Sequence, residues 1–124
     1  MKIEHKTTKT VLLVDDEEMV IEASKLMLQA LGYEVLVAKD GKEAIQLCQE
    51  NKERIDLAIL DVIMSGMSGV DIGRKLKQIK PDIKIFLSSG YPLGCLSEKT
   101  AMLEYEGFLD KPFGIDSLLE KLKI

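Results

Sequence analysis

Residues 57–61 read Leu-Ala-Ile-Leu-Asp, four apolar residues stopping abruptly on a carboxylate. The run is of strand length and does not alternate, as expected of a strand whose sheet is covered on both faces. The same figure recurs on either side. Upstream, VLLV (11–14) stops on Asp15 and Asp16; downstream, IKIFL (83–87) stops on Ser88, Ser89 and Gly90. YEVLVA (33–38) is a fourth candidate strand, and GFLD (107–110), followed by Lys111 and Pro112, a short fifth.

Helical periodicity fills the intervals. Residues 17–31 place Met19, Val20, Ala23, Leu26, Met27, Ala30 and Leu31 on one face, with Gly32 as the stop. Residues 41–52 line up Ala44, Ile45 and Cys48, and residues 69–80 line up Val70, Leu76 and Ile79 before Pro81. Residues 114–124 carry Ile115, Leu118, Leu119 and Leu122, while 93–106 has only a faint stripe of Leu96, Met102 and Leu103. Gly73, inside the third helix, costs roughly 1 kcal/mol against alanine, so a soft helix is expected there. Strands alternating with helices make right-handed βα units. The predicted fold is α/β: a three-layer, doubly wound, five-stranded parallel sheet, (βα)5. Such folds bind ligands outside the carboxyl ends of their strands.

Composition is consistent with this. The 124 residues are 46% hydrophobic and 31% charged, which suits one globular domain, here 10–124, after a polar arm at 1–9. A net charge of −4 gives no basic footprint for nucleic acid. No apolar run is long enough to span a bilayer, and MKIEHKTTKT has no signal-peptide core. Cys48 and Cys95 form neither a disulfide framework nor a metal pattern, so a cytoplasmic setting is expected. His5 reads as a solvated residue of the arm.

In a parallel sheet the strand ends share one edge. Asp15, Asp16, Asp61, a serine hydroxyl and the Lys111 ammonium therefore converge. Three carboxylates repel one another beyond what one lysine offsets, so either some protonate or a cation binds. All-oxygen donors suit a hard ion such as Mg²⁺, or Mn²⁺, rather than zinc. A hard divalent ion, a lysine, a hydroxyl and a nucleophilic aspartate are the parts needed for phosphoryl transfer.

Four segments in this order and spacing, VLLVDDEE, LAILDVIMSGMSG, FLSSGY and GFLDKPF, resemble the receiver domain of two-component response regulators over residues 10–124. The resemblance implies a flavodoxin-like sheet of order 2-1-3-4-5. It also implies Mg²⁺-dependent transfer of a phosphoryl group from a histidine kinase, or a phosphotransfer domain, onto Asp61. Asp16 would ligate the metal directly, Asp15 directly or through water, and the Ile63 backbone carbonyl would complete the protein ligands. Lys111 would pair with the phosphoryl group. Ser89 would be the switch hydroxyl, with Ser88 as its competitor, and Phe108 the switch aromatic that turns inward. The output surface would be the fourth helix, fifth strand and fifth helix, whose partner is open; Lys111, Lys121 and Lys123 lie on or near it. The Lys111–Pro112 peptide bond is a candidate for cis. Tyr91 occupies a position that tunes dephosphorylation in the family.

One departure stands out. Met64–Ser65 replaces the usual Met-Pro pair, which puts the rigidity of that loop in question. Three rival readings are weaker. A receiver-like scaffold that is never phosphorylated usually lacks an acidic or lysine position, and none is missing here. An aspartate-nucleophile phosphatase needs a second acid two residues after the nucleophile, where this chain has Ile63. A flavodoxin-like carrier needs a phosphate-cradling loop where this chain has DDEE. The chain reads as a non-enzymatic signalling domain, free-standing or cut from a hybrid sensor kinase, with FLSSGY and GFLDKPF favouring the second.

Overall fold

The computed structural model describes residues 8–90 and 103–122. Five strands, β1 (Thr10–Val14), β2 (Glu34–Ala38), β3 (Ile55–Asp61), β4 (Lys84–Ser89) and β5 (Gly107–Asp110), alternate with helices α1 (Glu18–Ala30), α2 (Gly41–Glu50), α3 (Gly69–Ile79) and α4 (Ile115–Leu122). The sheet order is β2-β1-β3-β4-β5 and every pairing is parallel, as expected. Most of the helix expected over 93–106 lies outside the described residues, as do Tyr91, Cys95, Lys123, His5 and most of the arm; residues 103–106 are not helical.

The unbroken apolar runs are explained by a core on each side of the sheet. Successive strand residues point to opposite faces. Leu12, Val14, Ala58, Leu60, Ile85 and Leu87 pack with residues of α2 and α3. Val11, Leu13, Leu57, Ile59, Phe86 and Leu109 pack with Ile21, Leu28 and Leu118 of α1 and α4. Burying both faces removes any polar/apolar alternation.

The face of α1 differs from the expectation. Ile21, Ser24 and Leu28 meet the sheet, whereas Met19 is 85% and Leu26 66% exposed, and Ala23 and Ala30 are also exposed. Val20, Met27 and Leu31 are half-buried along the flanks. Apolar residues cover so much of this helix's circumference that periodicity alone cannot choose the inner stripe. Likewise Ile115 and Leu119 of α4 are about two-fifths exposed, and only Leu118 is fully buried.

Gly73 has a packing reason that its helix propensity hides. A Cβ there would come 2.7 Å from Leu103 Cδ2 and 3.2 Å from Leu60 Cδ1. The missing side chain lets Leu103 seat against α3. At the opposite end of the sheet, the β1–β3 register shifts between Thr10 and Val11. There the Asp56 carboxylate accepts the Thr10 N–H at 2.8 Å.

Candidate functional site

The site sits at the carboxyl edge of the sheet, where β1, β3, β4 and β5 end together. Asp15 continues β1, its N–H donating to the Ala38 carbonyl at 3.1 Å. Its side chain is 2% exposed and fully engaged: Oδ1 accepts the Glu17 N–H at 2.9 Å, and Oδ2 lies 2.7 Å from Lys111 Nζ. Asp61 closes β3, is 5% exposed, and has Oδ2 3.2 Å from the same ammonium. Asp16 is exposed and its Oδ2 accepts the Ser65 N–H at 3.3 Å. One oxygen from each of Asp15, Asp16 and Asp61 can be chosen so that all three lie within 4.8 Å of one another. The three carboxylates predicted from sequence therefore do meet, with Lys111 among them.

These charges perturb one another. Burial pushes the Asp61 carboxyl up to about 6 from 3.8; Lys111 works against that shift and the Asp15 charge adds to it. Burial alone would lower the Lys111 ammonium, but its hydrogen bond to Asp15 and the charges of Asp61 and Asp15 outweigh it and hold the pKa above the usual lysine range. The ensemble holds more negative charge than one lysine neutralises. Clustered hard oxygen donors with excess negative charge fit a divalent ion of the Mg²⁺ class.

The loop after Asp61 is tethered despite lacking the proline. The Val62 N–H donates to Ser88 O at 2.8 Å, and the Gly69 N–H to Val62 O at 3.0 Å. The Ser65 N–H holds Asp16, and the Ser68 hydroxyl caps α3 by accepting the Asp71 N–H at 3.2 Å. Gly66 takes the left-handed turn at φ +80°. Gly69 is the residue that the sequence reading missed. A Cβ there would overlap the Asp61 backbone carbonyl oxygen and approach Val62 Cα to 2.9 Å. Only glycine lets α3 start so close to the aspartate. The glycine-dense SGMSG (65–69) was the available signal.

Ser88 and Ser89 are both buried, but Ser89 lines the cleft that contains Asp61 and Lys111, and Ser88 does not. The Ser89 carbonyl accepts the Lys111 N–H at 2.8 Å, tying the lysine to β4. The Lys111–Pro112 bond is cis, as the resemblance implied. Phe108 pairs with Leu87 across the β4–β5 ladder and is 9% exposed, already seated inward in the core. Ile63 is 49% exposed at the cleft rim. The cleft, about 880 Å³, runs from the carboxylates along the flank of α1, where Val20, Ala23 and Met27 line it together with Met64 and Phe113.

Comparisons with known proteins agree with this geometry. The family described as "Response regulator receiver domain" matches residues 11–123. The chain is 36% identical over 114 residues to a sensor kinase, CckA of Brucella abortus, covering 92% of this chain and 12% of that protein. It is 33% identical over 115 residues to the response regulator MprA of a Mycobacterium species, covering 91% of this chain and 48% of MprA. The chain thus spans less than half of these relatives. Among solved structures, the Vibrio cholerae chemotaxis protein CheY4 superposes with a TM-score of 0.85 at 29% identity, covering 94% of this chain and 98% of that one. The receiver domain of the hybrid histidine kinase CckA superposes at 0.76 with 37% identity, covering 92% and 95%.

Proposed function

This chain belongs to the response regulator receiver domain family, and on that premise we propose that Asp61 is its phosphoacceptor, charged by a histidine kinase or phosphotransfer domain. The observation that carries the reading is the buried Asp61 carboxylate, 3.2 Å from Lys111 and flanked by Asp15 and Asp16. An Asp61 oxygen attacks the donor phosphorus, the P–N bond to the donor histidine breaks, and an acyl phosphate forms. Asp15, Asp16, Asp61 and the Ile63 backbone carbonyl would hold Mg²⁺, which when bound supplies positive charge to the phosphoryl oxygens. Lys111 supplies a second positive group already in place. Hydrolysis of the acyl phosphate resets the domain.

Ser89 is the hydroxyl on the cleft wall that the phosphoryl group draws on. Phe108 is the aromatic partner of that switch, its inward seat being one of its two positions. The shift biases the surface around β5 and α4, where an output partner binds.

The phosphodonor docks on α1. Met19, Ala23, Leu26 and Ala30 form an exposed apolar stripe at alternating four- and three-residue spacing, the spacing by which one helix packs against another. That stripe adjoins the cleft leading to Asp61. Similarity to a sensor kinase favours a phosphorelay in the cytoplasm, with this domain as a signalling element rather than a turnover enzyme.

Intact-mass measurement with Mg²⁺ and acetyl phosphate tests the reading. One added phosphoryl group is expected, abolished by EDTA and by Asp61→Asn. An unmodified wild-type chain, with acetyl phosphate and with a range of kinases, would favour a non-phosphorylated scaffold. Steady turnover of a phosphoester would favour a phosphatase.

A further inference from the structure

We propose that Glu17 is a positioning residue that holds Lys111 in the resting state and yields it to the incoming phosphoryl group; this rests on Asp61 being the phosphoacceptor. Glu17 is the N-cap residue of α1, yet its side chain makes no capping hydrogen bond. Its carboxylate lies instead with Oε1 3.5 Å from Lys111 Nζ. Among the described residues, three carboxylates thus surround the Lys111 ammonium, with Asp15 at 2.7 Å, Asp61 at 3.2 Å and Glu17 at 3.5 Å. An ammonium has three N–H donors; Asp15 and Asp61 accept hydrogen bonds from it, and Glu17 stands beside it as a longer ion pair.

A phosphoryl group arriving on Asp61 draws the ammonium toward its own oxygens, and the weakest of the three contacts is the one that yields. Asp15 is 2% exposed and pinned by the Glu17 N–H, and Asp61 carries the new group. Glu17 is the longest contact and its side chain is 65% exposed, so water can solvate it when the ion pair opens. It is the partner that leaves. No covalent bond changes in this exchange: the ammonium leaves its ion pair with Glu17 Oε1 and donates to a phosphoryl oxygen. Glu17 therefore stabilises the unphosphorylated state selectively, and it acts through Lys111 without touching the reacting atoms.

The test compares wild type, Glu17→Gln and Glu17→Asp, with acetyl phosphate as donor at Mg²⁺ concentrations shown by titration to be saturating for each chain. Exposed ion pairs are weak, so both variants are expected to phosphorylate about two- to five-fold faster than wild type. Glu17→Asp keeps the charge at the cleft mouth but is one methylene too short to reach Lys111. In the metal-free chains, the ¹⁵N signal of the Lys111 ammonium is expected to move in both variants. A merely structural role for Glu17 would lower thermal stability without raising the rate. Wild-type rates in Glu17→Asp would show that mouth charge alone matters and overturn the proposal. So would rates at or below wild type in both variants, or an unmoved Lys111 signal. If wild type itself gains no mass, the phosphoacceptor reading falls, and this inference with it.

Discussion

Replacing Asp61 by asparagine is expected to stabilise the metal-free domain. Asparagine keeps the shape of the side chain and removes a carboxylate whose ionisation the folded state resists. In the folded chain that carboxyl keeps its proton until about pH 6, whereas the ordinary carboxyl loses it near 3.8. Between those values the folded state binds more protons than the unfolded one, so stability falls as pH rises through this window and stays lower above it. At 1.36 kcal/mol per pH unit the gap amounts to about 3 kcal/mol at neutral pH. That gap already includes the attraction of Lys111, which retains Asp15 and Glu17 in the variant. The expected gain is therefore up to about 3 kcal/mol, or roughly 10 °C in Tm for a domain of this size. Thermal unfolding in EDTA followed by circular dichroism at pH 7.5 and pH 5 measures it. The variant's advantage is expected at pH 7.5 and to shrink at pH 5, where the wild-type carboxyl is itself protonated. Mg²⁺ is expected to raise the Tm of wild type more than that of the variant. A variant no more stable than wild type in EDTA at pH 7.5, or an advantage that does not change with pH, would refute the reasoning.

Gly69→Ala is expected to destabilise the domain by about 1–3 kcal/mol, because the added Cβ collides with the Asp61 backbone and not with a movable side chain; urea denaturation measures this, and phosphorylation by acetyl phosphate is expected to slow with it. Lys111→Ala leaves Asp15 and Asp61 facing each other without their shared cation, so acyl phosphate formation is expected to drop at least tenfold in the mass assay. Leu26→Glu changes an exposed residue of α1 and is expected to leave stability within about 0.5 kcal/mol, and acetyl phosphate labelling within about two-fold, of wild type. The same variant is expected to slow transfer from a phosphorylated kinase severalfold; equal loss with both donors would place the defect in folding instead.

The strands and the carboxyl-edge residues were legible because their signals are local. A covered parallel strand needs an unbroken apolar run, and each run here ends on the polar residue it delivers. VLLV leads to Asp15 and Asp16, LAIL to Asp61, IKIFL to the serines and GFLD to Lys111, so strand polarity alone places these groups on one edge. Chain order also carried the four described helices, to within a few residues at their ends.

Tertiary structure decided what depends on close approach between segments distant in sequence. Periodicity could not select the inner stripe of α1, since its apolar residues exceed one face; the sheet selected Ile21 and Leu28 and left Met19 and Leu26 outside. Gly73 scores as a weak point by propensity and is a seat for Leu103 in the fold, and Gly69 is indispensable only because the Asp61 backbone lies against it. The resemblance put Ser89 ahead of Ser88, and what the fold adds is position: neighbours on a strand face opposite ways, and Ser89 lines the cleft where Ser88 does not. The order of contacts at Lys111, with Glu17 the longest, is likewise a matter of distances across three elements. Burial gives the reason in each case: hydrophobic pattern and strand polarity are properties of the chain, whereas which atoms compete for the same few ångströms is settled only when the sheet and helices close around them.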